Sequence, residues 1–347
     1  MSSSTSVQEV ASTGERLATD WYGDLVGARR LALRTHSTWD AVRSAWTVFR
    51  ASASCRSVVT TEGSMSPVGL GLLALLLALR RRRRLVLLQF LPGRKVGLSG
   101  RLVVGLYRLV LRRACLGVQV MTAGEKDAYQ RTYLLPPDRV RHVPYYSVDD
   151  RVPLDVVGPD LRTGILASGR NSCDWTTLLD AAEGQGWPLT IVCSESDLAG
   201  IARRAAATGV EVLAELPRAE HNQMLATAQL FLVVMKDRGA SSGHVRLASA
   251  ALRGTPVLAT SIPGMSGYEH LALATVPAED PIALRDEVNR LLAEPGVLAE
   301  AAERVRREAW QRPLSRYARE IRAFVDECEG SSVPAPGPAT GTGSRGA

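Results

Sequence analysis

The feature that most constrains this chain is an alternation of short β-type runs with helix-length segments, begun twice. In the first series Ser57–Thr61, Leu85–Phe90, Gly117–Thr122 and Val140–Pro144 read as strands. Between them lie a helix over Pro67–Arg82, a basic helix over Arg101–Arg113 and a helix opening at Ala123. The second series has strands at Thr163–Ser168, Leu189–Cys193, Val210–Leu213, Leu230–Met235 and Pro256–Thr260. Helices over Trp175–Gly184, Leu198–Thr208, Ala219–Ala228 and Val245–Arg253 separate them, and Ala283–Leu292, Leu298–Arg312 and Leu314–Glu327 follow. Strands that alternate with helices join as parallel neighbours through crossovers, so their sheets are covered on both faces. The pattern predicts an α/β protein of two tandem, open Rossmann-like domains with parallel sheets and a cleft between them.

The expected organisation is a disordered N-terminus (1–14), a first domain (15–150), a second domain (151–312), a C-terminal helix (313–329) and a disordered Ser/Pro/Gly/Thr tail (330–347). Residues 15–56 read mostly as helix, with a helix start at Ser37-Thr-Trp-Asp40. The polar stretch 145–162 serves as linker. A composition of 46% hydrophobic and 22% charged residues excludes a disordered or fibrous chain. The five cysteines are odd in number, scattered and never spaced C-x-x-C, which argues against a disulfide framework and for a reducing compartment. No spacing of the five histidines suggests a metal site. Met1–Thr13 lacks the apolar core of a signal peptide. The longest apolar run, Val68–Leu79, falls short of the roughly 20 residues that span a bilayer.

Charge is unevenly placed. Between Glu62 and Glu125 there is no acidic residue, but there are eleven Lys and Arg, including Arg80, Arg81, Arg82, Arg83, Arg84, Arg101, Arg108 and Arg112. Subtracting those eleven from the net +7 leaves the remainder at −4. At helical spacing Arg101, Arg108 and Arg112 share one side, and Leu102, Leu106, Leu109 and Val110 can share another. Three readings are open: contact with an anionic membrane surface, a solvated helix face, or nucleic acid. Nucleic acid is disfavoured, because the segment offers only Phe90 and Tyr107 for base stacking. The listed arginines are therefore the candidate membrane-facing residues.

Four passages in the second half carry a resemblance. They are Ile165-Leu-Ala-Ser-Gly-Arg170 with the helix after it, and Val210-Glu-Val-Leu-Ala-Glu-Leu-Pro217 with its helix. The others are Ser241-Ser-Gly-His-Val-Arg-Leu-Ala-Ser249 leading to Gly254-Thr-Pro-Val257, and Pro277-Ala-Glu-Asp-Pro281. Met121-Thr-Ala-Gly-Glu-Lys126 and Val143-Pro144 add to them. Together they resemble the GT-B glycosyltransferases, specifically the retaining family 4 group, over about residues 117–310.

The resemblance implies transfer of a sugar from a nucleotide-sugar donor, bound by the second domain, to a sugar or lipid-linked acceptor held by the first, membrane-facing domain, with retention, without a metal or other cofactor. It implies a cytoplasmic protein, peripheral on the inner face of the cell membrane where the basic segment docks. The leaving diphosphate needs fixed donors and cations. A glycine turn opening a helix offers free N–H groups and the positive end of the dipole. Arg170, Lys236, Ser242, Gly243 and His244 are thus the candidate diphosphate ligands, Leu216, Pro217 and Ser249 the nucleoside contacts, and Glu269 and His244 the catalytic candidates. Glu125 fits a functional role or a dipole-stabilising first-turn acid equally. Where the family carries a Lys after the first Arg, this chain has Cys173-Asp-Trp175, and Lys236 is the substitute. Where the family often has two glutamates eight positions apart, this chain has Ser241 and Ser249. A non-catalytic membrane-associated scaffold of the same fold, or an epimerase, is the alternative to the transferase.

Overall fold

The computed structural model describes residues 15–33, 37–61, 64–80, 84–92, 97–145 and 156–330. The expectations for 1–14 and 331–347, for Arg81, Arg82 and Arg83, and for most of the linker fall outside these residues. In the first half the order is β1 (Arg16–Ala18), α1 (Tyr22–Val26), β2 (Arg29–Arg30), α2 (Thr38–Ala51), β3 (Ser57–Thr61) and α3 (Pro67–Leu79). It continues with β4 (Leu85–Leu88), α4 (Gly97–Ala114), β5 (Cys115–Val120), α5 (Ala123–Tyr133) and β6 (Val140–His142). These strands form one parallel sheet in the order β2-β1-β3-β4-β5-β6.

The second half runs β7 (Thr163–Ser168), α6 (Trp175–Ala182), β8 (Leu189–Cys193), α7 (Glu195–Thr208), β9 (Glu211–Ala214) and α8 (Arg218–Thr227). After these come β10 (Ala228–Val233), α9 (His244–Leu252), β11 (Val257–Ser261), β12 (Ala274–Pro277), α10 (Pro281–Ala293), α11 (Pro295–Trp310) and α12 (Leu314–Gly330). The second sheet is also parallel, in the order β12-β11-β10-β7-β8-β9. Its chain order reverses direction between β7 and β10, the place where open α/β sheets take ligands.

Successive strand residues face opposite layers. Val58, Leu85 and Leu87 join the core beneath α2 to α5, whereas Val59, Val86 and Leu88 pack with Tyr22, Tyr317, Ile321 and Phe324 of α1 and α12. The last helix of the chain therefore completes the first domain. The Tyr22 and Tyr317 hydroxyls meet at 2.7 Å, and Arg16 pairs with Asp326 and with Glu329 (2.9 Å).

One expectation is incomplete: residues 15–56 carry helices, as read, but also two strands that the reading did not give. They open with β1, α1 and β2, and only α2 is long. Strands of three and two residues are too short to show a period, and β1 is fixed by parallel pairing with the distant β3.

Candidate functional site

A cleft of about 390 Å³ opens at the C-terminal ends of β7, β8 and β9. It is lined by Ser168, Gly169 and Arg170 after β7, Glu215 and Leu216 after β9, Arg218 and His221 of α8, and Arg246 of α9, among others. Of the sequence candidates, Arg170 and Leu216 are there. The Arg170 guanidinium is exposed and pairs with Glu215 at 2.6 Å. His221 Nε2 lies 2.9 Å from Ser168 Oγ, and burial, with Arg253, Arg246 and Arg170 nearby, holds its pKa below the usual histidine range.

The sequence reading missed Arg218 and Arg246. A signal was present for Arg246, which sits in the first turn of a helix without an acid there, the end where the macrodipole disfavours a cation; Arg218 shares its first turn with Glu220 and gave none. Arg246 crosses between β7 and β10. It donates to the Ser168 carbonyl, and to Cys173 Sγ at 3.2 Å and Met235 Sδ at 2.7 Å. Gly169 makes room for this, since a Cβ there would collide with the Arg246 guanidinium and the Cys173 sulfur.

The glycine turn follows β10. Gly243 has φ +83°, a backbone suited to glycine, and a Cβ there would lie 3.0 Å from Met265 Sδ. Ser241 N–H donates to Glu125 Oε1 at 2.6 Å, and Ser242 N–H to the Gly264 carbonyl at 3.1 Å. His244 is 5% exposed, with its ring 5.0 Å from that of Tyr268. Burial and the Arg246 charge lower its pKa to about 4, so the imidazole is neutral at pH 7. Both His244 ring nitrogens and Ser242 Oγ are buried without a protein hydrogen-bond partner. Each such atom costs about 1–3 kcal/mol unless a ligand or water meets it.

The turn sits against the first domain. Tyr268 Oη donates to the Met121 carbonyl (3.0 Å) and accepts from Tyr145 N–H (2.7 Å), and Ala123 N–H donates to the Ser266 carbonyl (3.2 Å). Other candidates are placed elsewhere. Lys236 lies 3.7 Å from Asp174, the buried N-cap of α6, so its charge is shared with that carboxylate. Ser249 Oγ accepts from Arg253 at 2.9 Å. Glu269 is exposed and accepts from Gly267 N–H at 2.7 Å, within its own turn. Pro217 is the N-cap of α8 and does not line the cleft.

The basic segment divides. Arg101, Arg108 and Arg112 are exposed on α4, and Arg108 also donates to the Thr132 carbonyl at 2.8 Å. Arg80 lies over the Phe49 ring at 3.8 Å. Arg84 is corrected as a membrane-facing residue: it is half-buried and donates to the Ser52 and Ala53 carbonyls, closing the end of α2. Val110 is likewise corrected. It is buried with Tyr107 and Leu111, whereas Leu102, Leu106 and Leu109 are exposed.

Comparison with known proteins agrees with this architecture. Residues 170–323 match a family described as glycosyl transferase-like. The chain is similar in structure to sucrose-phosphate synthase from Thermosynechococcus elongatus, with 14% identity, TM-score 0.68, and 88% of this chain and 84% of that one covered. It is also similar to HepE from Anabaena, solved with UDP and glucose, at 14% identity, TM-score 0.67 and 86% coverage of both chains. WaaG, a glycosyltransferase involved in lipopolysaccharide biosynthesis, aligns at 16% identity and TM-score 0.57 over 86% of both chains. No curated protein sequence matches the chain.

Proposed function

On the premise that this chain has the GT-B fold with a glycosyl transferase-like second domain, we propose that it is a glycosyltransferase using a nucleotide-sugar donor. One observation carries the reading. Arg170, Arg218 and Arg246 converge on one cleft beside the strand-order reversal, two of them from helix first turns, the end where the macrodipole favours an anion. A nucleoside diphosphate is the anion that suits such a place.

The roles follow from the geometry. Arg246 takes the place of the missing family lysine, because it reaches the ends of both β7 and β10, whereas Lys236 is held by Asp174. Arg170 binds the diphosphate after leaving Glu215, a surface pair that opposes this by about 0–1 kcal/mol. As the leaving group departs, charge grows on the diphosphate and these guanidiniums stabilise it. The glycine turn with Ser242 and neutral His244 contacts the donor, since their buried polar atoms have no protein partner. Leu216 lines the nucleoside side.

The finer reading is transfer with retention, family 4 chemistry, and a membrane-proximal acceptor in glycoconjugate or polysaccharide synthesis. WaaG, a neighbour in fold, is described as involved in lipopolysaccharide biosynthesis, which agrees with that acceptor class.

A thermal-shift panel of nucleoside diphosphates and nucleotide sugars tests the reading. A ligand at a hundredfold excess over Kd stabilises by about 2.7 kcal/mol. Stabilisation by one nucleotide class, lost in Arg246→Ala, supports it. No stabilisation by any member of the panel, in folded protein, rejects it.

A further inference from the structure

Helices α2, α3 and α4 lie side by side over one face of the first sheet, and their outer sides share a chemistry that solvent does not favour. Helix α3 contains no polar side chain at all, a composition expected of a helix buried all round. Yet Val68, Leu75 and Leu79 are exposed and Leu72 is half-buried, at helical spacing along one stripe. On α4 the exposed stripe is Leu98, Leu102, Leu106 and Leu109, with Leu98 80% and Leu102 76% accessible. On α2 the exposed row is Trp39, Arg43, Trp46 and Arg50.

Cations edge this apolar surface. Arg101, Arg108 and Arg112 form a row beside the α4 leucines, Arg80 stands at the end of α3, Arg43 lies between the tryptophans and Arg50 one turn beyond Trp46. The one acid on the three helices is Asp40, which is engaged by Ser37 at the N-cap of α2. Apolar stripes edged by arginines, with tryptophan beside them, match the boundary between acyl chains and anionic headgroups.

We propose that this three-helix face docks on an anionic lipid bilayer, inserting Trp39, Leu98 and Leu102 among the headgroups. Positive charge with no competing acid selects lipid over a second copy of the chain, which would bring the arginines against each other. Each helix runs antiparallel to the parallel strands, so Trp39, Val68 and Leu98, near the helix N-termini, lie toward the strand C-termini. Docking therefore brings the rim of the first domain's acceptor side to the lipid surface. This deepens the membrane-proximal part of the reading above but is independent of the reaction in the cleft.

The test is sedimentation of the full chain with phosphatidylcholine vesicles, with and without phosphatidylglycerol. Binding is expected only with the anionic lipid, weakening with salt, with a blue shift of tryptophan emission. Trp39→Gln with Leu102→Gln should weaken binding at least about tenfold, and Arg101→Gln with Arg112→Gln by about fivefold per arginine. All four side chains are exposed, so both variants should keep the wild-type melting temperature and nucleotide response. Absence of vesicle binding by folded protein overturns the proposal, as does binding that the variants leave unchanged. So does a dimer in solution that the Trp39/Leu102 variant dissociates, or preferential capture of nucleic acid. Vesicle binding without a nucleotide response would leave this proposal standing and remove the transferase.

Discussion

The Glu125 carboxylate joins the two domains at the Ser241 amide. Its Oε2 closes the capping box of α5, accepting from Thr122 N–H at 3.2 Å and from Met121 N–H at 3.0 Å, while Oε1 accepts from Ser241 N–H at 2.6 Å. A residue that local sequence explains as a first-turn acid is also the first domain's grip on the glycine turn.

Glu125→Ala should destabilise the chain by several kcal/mol, since it removes a cap worth about 0.5–2 kcal/mol and leaves buried N–H groups unpaired. The effect should depend on pH. Burial pushes the Glu125 carboxyl above its ordinary value of 4.5, outweighing the N–H groups of Ser241, Met121 and Thr122. A raised folded pKa makes the group's contribution full below the unfolded value and smaller as pH rises through the folded one. Urea unfolding of wild type and variant should give a gap that narrows as pH rises from 4.5; a gap that widens over that range contradicts the assignment.

Arg246→Ala should weaken nucleoside diphosphate binding by about 10- to 100-fold, the value of a charge-assisted hydrogen bond or two in a cleft. Lys236→Ala should cost far less affinity, because its ammonium already faces Asp174. Titration calorimetry of both variants checks the order. Equal losses, or a larger loss for Lys236, would return the second phosphate cation to the residue that sequence alone suggested.

How far the chain could be read depended on how local each determinant is. The second sheet was legible because five strands of four to six residues recur between helices, and Gly243 because a helix-opening turn at positive φ needs glycine. The opening β1–α1–β2 was not, since Arg16 is held by Asp326 and Glu329, more than three hundred residues away. The arginines of the cleft were half-legible: the misfit of Arg246 with the helix dipole is written in the sequence, but their convergence depends on which helices follow β9 and β10. Ser249 shows the opposite failure. Aligned with a family glutamate, it sits on α9, where its hydroxyl accepts from Arg253.

His244→Phe separates stability from binding. The imidazole gives up two hydrogen bonds on burial beside Tyr268, so a ring of similar shape should be tolerated or stabilising without ligand. With a folded pKa of about 4 against an ordinary 6.5, the histidine's contribution is lost as pH falls from 6.5 through 4. That loss amounts to roughly 3 kcal/mol. Melting curves should show the wild type declining faster than the variant between those values, while the variant binds donor more weakly at pH 7. A variant that binds donor as well as wild type would remove His244 from the site.

Gly243→Ala should lower stability by about 1–2 kcal/mol from the left-handed backbone alone, and more from the Cβ placed 3.0 Å from Met265 Sδ. Because the displaced turn carries the Ser241 N–H that Glu125 holds, the same change should loosen the domain interface. Hydrogen exchange at Ser241 and Tyr145 reports this. Protection unchanged at both amides, in a variant of lowered stability, would show that the strain stays within α9.

The last helix provides the strongest stability test. Tyr317, Ile321, Phe324 and Val325 of α12 fill the first domain's second face, and Gly117 is a glycine where a Cβ would strike Cys328 and Phe324. Burial of four such side chains is worth about 1.5–3 kcal/mol each, comparable with the entire 5–15 kcal/mol stability of a domain. A chain ending at Arg312 should therefore leave the first domain unfolded or aggregating while the second stays folded. Adding residues 313–330 as a separate peptide should restore it. Circular dichroism and limited proteolysis follow both domains, and a truncated chain with a protected, folded first half would show that α12 only decorates that face.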